Sequence, residues 1–222
     1  MMTWSLAQRV QRWTTWNVLT RAMRVAVEGL ENVPRSGPYI LVWNHLHITD
    51  GMLLWSSVPA PTVFLATGKF EKTNPLIHAY LRGTGAILVR DGGVDRQAIK
   101  RALSALGQGS PLAIAPEGRV STTGALRLAE PGVASLVCHS GAKVIPVAIW
   151  GQHKAHETWR AFHRPRVTIR YGAPLEYPRL PASAANLRHL TTQIMNGLAR
   201  ILPPQYRGVY SHCQERESSV CG

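Results

Sequence analysis

Cysteine is scarce in this chain. There are three in 222 residues, Cys138, Cys213 and Cys221, with neither a CxxC pair nor a metal-ligand spacing to histidine. So small and odd a set excludes a disulfide framework and points to a reducing compartment. Long apolar runs are missing too, since none approaches the roughly 20 residues that a membrane-spanning helix needs. The opening stretch MMTWSLAQRVQRW reaches Arg9 and Arg12 too soon to hold the apolar core of a signal peptide. The expectation is a cytoplasmic protein, or one lying peripherally on the cytoplasmic face of a membrane. Acidic residues are the third shortage: 12 Asp and Glu stand against 25 Lys and Arg, a formal net charge of +13 and a pI of about 10.5. That imbalance favours an anionic partner, whether nucleic acid, acidic membrane or phosphorylated substrate.

What is present is a foldable core. Hydrophobic residues make up 45% of the chain, which argues against disorder, and the length suits one domain. Apolar runs at 25–28, 39–43, 62–67, 86–89, 112–115, 144–150 and 166–171 read as strands. Segments at 52–58, 75–82, 95–106, 132–140 and 182–202 read as helices, the last stopped by Pro203-Pro204. Strands alternating with helices predict an α/β fold, a mainly parallel mixed sheet flanked by helices, over residues 25–204. Residues 1–24 form a separate segment holding Trp4, Trp13, Trp16, Arg9, Arg12 and Arg21 and no acid. Leu6, Val10 and Trp13 share a helical face, which suits an interfacial helix on anionic lipid; packing against the domain is the alternative. Residues 205–222 read as a disordered tail.

Sites in such sheets gather beyond the carboxyl ends of the strands. Three strand exits carry reactive groups: NHLHITD (44–50), GAILVRD (85–91) and APEGRVS (115–121). In the first, Asp50 can orient His45 as a general base if the loop folds back on itself. No serine or cysteine nucleophile stands obviously beside His45, so the base would activate a substrate hydroxyl directly. His47 reads as a loop or helix-start residue. In the third, Gly118 permits a tight turn and Arg119 offers a planar fork suited to phosphate. The stretch 153–166, HKAHETWRAFHRPR, is either a solvated basic face or a rim that attracts anionic lipid.

Together with VIPVAI (144–149), these blocks stand in the order and spacing of the four blocks of the glycerolipid acyltransferase family, which the chain resembles over about residues 28–177. The resemblance implies the corresponding fold, resembling glycerol-3-phosphate acyltransferase, and transfer of an acyl chain from acyl-CoA or acyl carrier protein to a lysophospholipid hydroxyl, first of all 1-acyl-sn-glycerol 3-phosphate. It implies that His45 is the catalytic base and Asp50 its orienting partner. Asn44, Lys69, Arg90, Glu117, Gly118 and Arg119 would bind substrate, and Pro146 would be a packing element near the acyl site. No metal or bound cofactor is implied. The partners would be an anionic membrane surface, the lysophospholipid and the acyl thioester, with acyl carrier protein as a candidate donor; nucleic acid is not expected. Two arginines come one place early: the second block reads Arg90-Asp91 and the third Glu117-Gly118-Arg119. EGRVSTTGAL is also similar to the acyltransferase half of bacterial lysophospholipid acyltransferase and acyl carrier protein synthetase enzymes, which keeps 2-acylglycerophosphoethanolamine as an alternative acceptor; glycerol 3-phosphate is another that the family resemblance implies. From another class, a basic lipid- or nucleic-acid-binding module without catalysis fits the charge but leaves the three loops unexplained.

Overall fold

Apolar runs bounded by turn residues become strands, and the capped segments between them become helices. The computed structural model describes residues 3–69, 73–90, 95–152, 158 and 163–214. Asp91 and most of the stretch 153–166 lie outside the described residues. Helix α1 (Leu6–Ala22) opens with a reciprocal cap, Ser5 accepting from the Gln8 amide while the Gln8 side chain accepts from the Ser5 amide. There follow β1 (Arg24–Glu28), β2 (Tyr39–Trp43), α2 (Asp50–Ser57) and β3 (Val63–Thr67). Helix α3 (Pro75–Thr84) is capped by Asn74 with proline at its first position, and leads to β4 (Ile87–Val89). Asp95 caps α4 (Arg96–Gly107), which precedes β5 (Leu112–Ile114). Then come α5 (Gly132–Ser140), β6 (Lys143–Trp150), β7 (Arg166–Tyr171) and α6 (Ala184–Ile201), the last capped by Ser183.

The seven strands form one sheet in the order β1-β7-β6-β2-β5-β3-β4. Every pairing is parallel except β6 with β7. Strands β2, β3, β4, β5 and β6 therefore end along one edge, and β1 and β7 begin there. All five residues of β2 are buried, as expected of a central strand covered on both faces. Ile40, Val42 and Val144 pack against α4, α5 and α6, while Leu41, Trp43, Ile145 and Val147 pack against α1 and α2. Pro146 sits inside β6; its carbonyl accepts from the Gly172 amide at 2.8 Å, and Gly172 leaves no room for a Cβ beside the proline ring.

Helix α1 packs the buried Leu19 and the partly buried Trp16 into the core, and polar side chains add to the join. Gln8 donates to the Thr84 carbonyl and Gln11 to that of Tyr80, at 3.1 and 3.0 Å. The half-buried Arg12 guanidinium donates to the Trp55 and Val58 carbonyls at the end of α2 and lies 4.2 Å over the Trp4 ring. Burial lowers its pKa from the ordinary arginine value. Leu6, Val10 and Trp13, by contrast, are 78%, 54% and 67% exposed. Among the described residues no helix is long and apolar enough to cross a membrane.

The tail expected to loosen from residue 205 is packed well past that point. Short 3-10 turns cover Pro204–Tyr206 and Gly208–Gln214. Tyr206 and Tyr210 are buried. The Tyr206 carbonyl accepts from the Leu126 amide at 2.9 Å, and the Tyr210 hydroxyl from that of Ala129 at 3.3 Å. Pro203-Pro204 ends α6 and turns the chain back under the loop after β5, so two tyrosines gain a core that composition alone hides.

Candidate active site

The site forms where the exits of β2, β5 and β6 meet. Asn44, the first residue past β2, is fully buried. Its side chain accepts from the Ile149 amide at 2.8 Å and donates to the Ile149 carbonyl at 2.7 Å. It thus continues the β2–β6 ladder one step beyond the backbone. This corrects its expected place among the substrate-binding groups: with both amide atoms spent inside, Asn44 fixes the strand end.

The loop 45–49 then wraps around one carboxylate. Asp50, the first residue of α2, is fully buried. Its Oδ2 accepts from the Leu46 and His47 amides, both at 2.7 Å, and faces His45 Nδ1 at 3.1 Å. Its Oδ1 accepts from Gln152 Nε2 at 2.7 Å. A negative charge is favoured in the first turn of a helix, and four donors compensate its burial. Fold-back of the loop thus closes the five-residue gap between His45 and Asp50. The His45 side chain is 19% exposed and lies 4.7 Å from the Trp43 ring, tilted by 58°. With Nδ1 directed at the carboxylate, Nε2 is left as the basic nitrogen, and among the described residues it has no hydrogen-bond partner. His47 turns instead to its own loop, Nδ1 meeting the Thr49 hydroxyl at 2.9 Å.

The loop after β5 is clamped to this one. Glu117 is buried; one carboxylate oxygen accepts from the His45 amide at 3.0 Å, the other from the Arg127 amide at 2.9 Å. Burial raises its pKa, against the opposing pull of these two amides. The Ser121 amide returns a bond to the His45 carbonyl at 2.7 Å. Gly118 occupies the left-handed region at φ 67°, which lets the chain turn between these anchors. Glu117 is therefore committed to holding the two loops together. Arg119 is exposed on the same loop, so its one-residue shift falls in a turn and not on a strand.

The remaining basic residues stand farther off. Lys69 follows β3 and Arg90 follows β4, two and three strands from β2, or roughly 10 and 14 Å at strand spacing. Both are exposed. Arg90 Nε lies 3.4 Å from Asp95, whose carboxyl is depressed to about 2, first by the Arg90 amide and then by that of Ala98. The structure thus gathers His45, Asp50, Glu117, Gly118 and Arg119, and places Lys69 and Arg90 along the same edge without bringing them into the cluster. Gln152 is what sequence reasoning missed; its signal was its position at the end of the fourth block, at the edge where sites collect. Among the described residues, no three His, Cys, Asp or Glu side chains cluster as metal ligands would.

Comparison with known proteins extends this geometry. Residues 24–150 match the model of a family described as Acyltransferase. Over 130 residues the chain is 24% identical to a 1-acyl-sn-glycerol-3-phosphate acyltransferase of Borreliella burgdorferi; the match covers 58% of this chain and 52% of that protein, about half its length. The fold is similar to the crystal structure of a 1-acyl-sn-glycerophosphate (LPA) acyltransferase, PlsC, from Thermotoga maritima. The TM-score is 0.66 and the identity 25%, covering 84% of this chain and 76% of the other.

Proposed function

The chain belongs to the acyltransferase family, and from that premise we propose that it moves an acyl group from an acyl thioester to the hydroxyl of 1-acyl-sn-glycerol 3-phosphate. One observation carries the reading: a half-buried histidine whose Nδ1 meets a fully buried carboxylate while its Nε2 has no partner among the described residues. His45 Nε2 takes the proton of the acceptor hydroxyl as its oxygen attacks the thioester carbonyl. Asp50 holds the ring and stabilises the imidazolium. The tetrahedral intermediate then collapses, expelling the thiolate, and the imidazolium returns the proton to sulfur. The reaction written this way needs no metal or bound cofactor. Arg119 binds the acceptor phosphate, and Lys69 and Arg90 extend a basic rim along the sheet edge. The names of the two relatives support this acceptor over other lysophospholipids.

The protein works from the cytoplasmic surface of an anionic membrane, attached peripherally. The outward Leu6, Val10 and Trp13 of α1, with Arg9 and Arg21 beside them, support this. Ile48 and Val120, exposed on the two loops next to His45, supply apolar contact for an acyl chain. The test is thiol release from palmitoyl-CoA with lysophosphatidic acid, glycerol 3-phosphate, lysophosphatidylethanolamine or no acceptor, for wild type and His45→Ala. Release should depend on lysophosphatidic acid and vanish in the variant; undiminished transfer by His45→Ala would sink the mechanism. Sedimentation with anionic vesicles, weakened by Trp13→Ala, tests the attachment.

A further inference from the structure

A cavity of about 510 Å³ lies at the start of β1 and β7, outside the cluster around His45. Its walls include Arg24, Arg164, Arg166, His163, Trp150 and Tyr206, and among the described residues no carboxylate lines it. That size and this mix of cationic and aromatic groups suit a small charged ligand. Arg24 and Arg166 are register partners in the parallel β1–β7 pair, so two like charges stand side by side, a costly arrangement unless an anion relieves it. Both side chains are exposed, and neither makes a hydrogen bond or ion pair among the described residues. Arg164 is anchored on the Thr20 and Met23 carbonyls at the end of α1 and brings its charge to the wall. Gly151, at φ 98°, lets the end of β6 approach the Arg166 carbonyl where a Cβ would collide.

Position in the sheet identifies the anion. The cavity lies at the same edge as His45, one to three strands away across β6, β7 and β1, about 5 to 14 Å at strand spacing. In a lysophosphatidic acid about four bonds, roughly 5 Å, separate the reacting hydroxyl from phosphorus. With its hydroxyl at His45 that phosphate does not reach the Arg24–Arg166 pair. In an acyl-CoA about 13 bonds, roughly 15 Å when extended, separate the thioester sulfur from the nearest phosphorus, which matches the span. We propose that this cavity holds the phosphorylated nucleotide head of an acyl-CoA donor, Arg24 and Arg166 taking its phosphates and Trp150 lying beside its base. The distance argument rests on the acyl-transfer reading of His45; the ligand test does not.

The test is calorimetric binding of CoA and of adenosine 3′,5′-bisphosphate to wild type, Arg24→Gln, Arg166→Gln, the double variant and His45→Ala. Each single arginine change should weaken both ligands about tenfold and the double change further, with no fall in Tm, because a like-charge pair is being removed. His45→Ala should bind CoA as wild type does; a wild type that binds CoA yet transfers no acyl group would sink the proposed reaction and leave this site standing. CoA affinity within twofold of wild type in the double variant would overturn the site, as would a wild type that binds neither ligand. Transfer from acyl carrier protein should be unchanged in the arginine variants; loss of that transfer with CoA binding preserved would assign the cavity to the carrier protein and refute the nucleotide.

Discussion

Replacing Asp50 by Asn separates the charge of this residue from its hydrogen bonding. The side chain meets four donors, at 2.7 Å from Leu46, His47 and Gln152 and 3.1 Å from His45. Asn can keep its oxygen toward the first two amides and His45, which preserves the imidazole tautomer. Its NH2 then faces Gln152, whose Oε1 is buried and without a partner in the wild type; an amide flip presents that oxygen instead. Each charge-assisted bond weakens by about 1 kcal/mol on becoming neutral, roughly 4 in all, and relief of the buried charge returns several kcal/mol. A net cost of about 1–2 kcal/mol lowers Tm by roughly 2–8 °C in a chain of this length. Activity should fall much further. A carboxylate facing an imidazolium at about 4 Å is worth about 4 kcal/mol at an effective dielectric near 20, or roughly 10³-fold in kcat. Thermal unfolding and acyl transfer should therefore diverge: a folded Asp50→Asn protein with kcat down about 10³-fold. A rate within tenfold of wild type would refute the ion-pair role. An unfolded Asn variant would refute the claim that neutral acceptors satisfy these donors.

Three further outcomes follow from the same contacts. Glu117→Gln, conservative in shape, turns an NH2 toward either the His45 or the Arg127 amide, and should cost about 1–3 kcal/mol in chemical denaturation; an unchanged midpoint would deny the clamp. Arg12→Ala removes the bonds to Trp55 and Val58 and the stacking on Trp4; it should destabilise the attachment of α1 by roughly 2–4 kcal/mol, seen as faster proteolysis near residue 23 with the rest of the domain intact. Asp95 has a folded-state pKa depressed to about 2, so its stabilisation is present above the unfolded value and is lost as pH falls from about 4 to about 2. The Tm gap between wild type and Asp95→Ala should be full at pH 6 and close near pH 2; a gap independent of pH would contradict the cap.

The strands were legible because YILVW and its counterparts are apolar runs ended by turn residues, and strand burial needs little else. The contact between His45 and Asp50 was legible for a local reason: a polar loop between a strand and a helix, with a carboxylate at the helix start. What could not be read required knowing which distant backbone groups a side chain would meet. Asn44 and Glu117 look like substrate ligands in one dimension and act as rivets in three, because their partners at Ile149 and Arg127 come from other strands' exits. Gln152 offered only its place just past the fourth block, with no motif of its own. The reversal of β7 was equally hidden, since Arg166–Tyr171 carries the same alternation in either direction. Tyr206 and Tyr210 were hidden because their polar neighbours resemble a tail.

The bonds that join the β2 loop to the exits of β5 and β6 are long in sequence: 72 residues from His45 to Glu117, 102 from Asp50 to Gln152 and 105 from Asn44 to Ile149. Contacts of such separation form slowly, because the chain must first lose the entropy of large loops. A ribosome-bound chain that has released only the first hundred residues already carries His45, Asp50 and the local bonds between them, yet lacks Glu117, Ile149 and Gln152, which fix their loop to the sheet. Competence therefore arrives late and together, when β6 inserts between β2 and β7 and delivers Ile149 and Gln152 in a single step. Recovery of activity during refolding should accordingly lag behind the return of helical signal and coincide with protection of the β6 amides from hydrogen exchange.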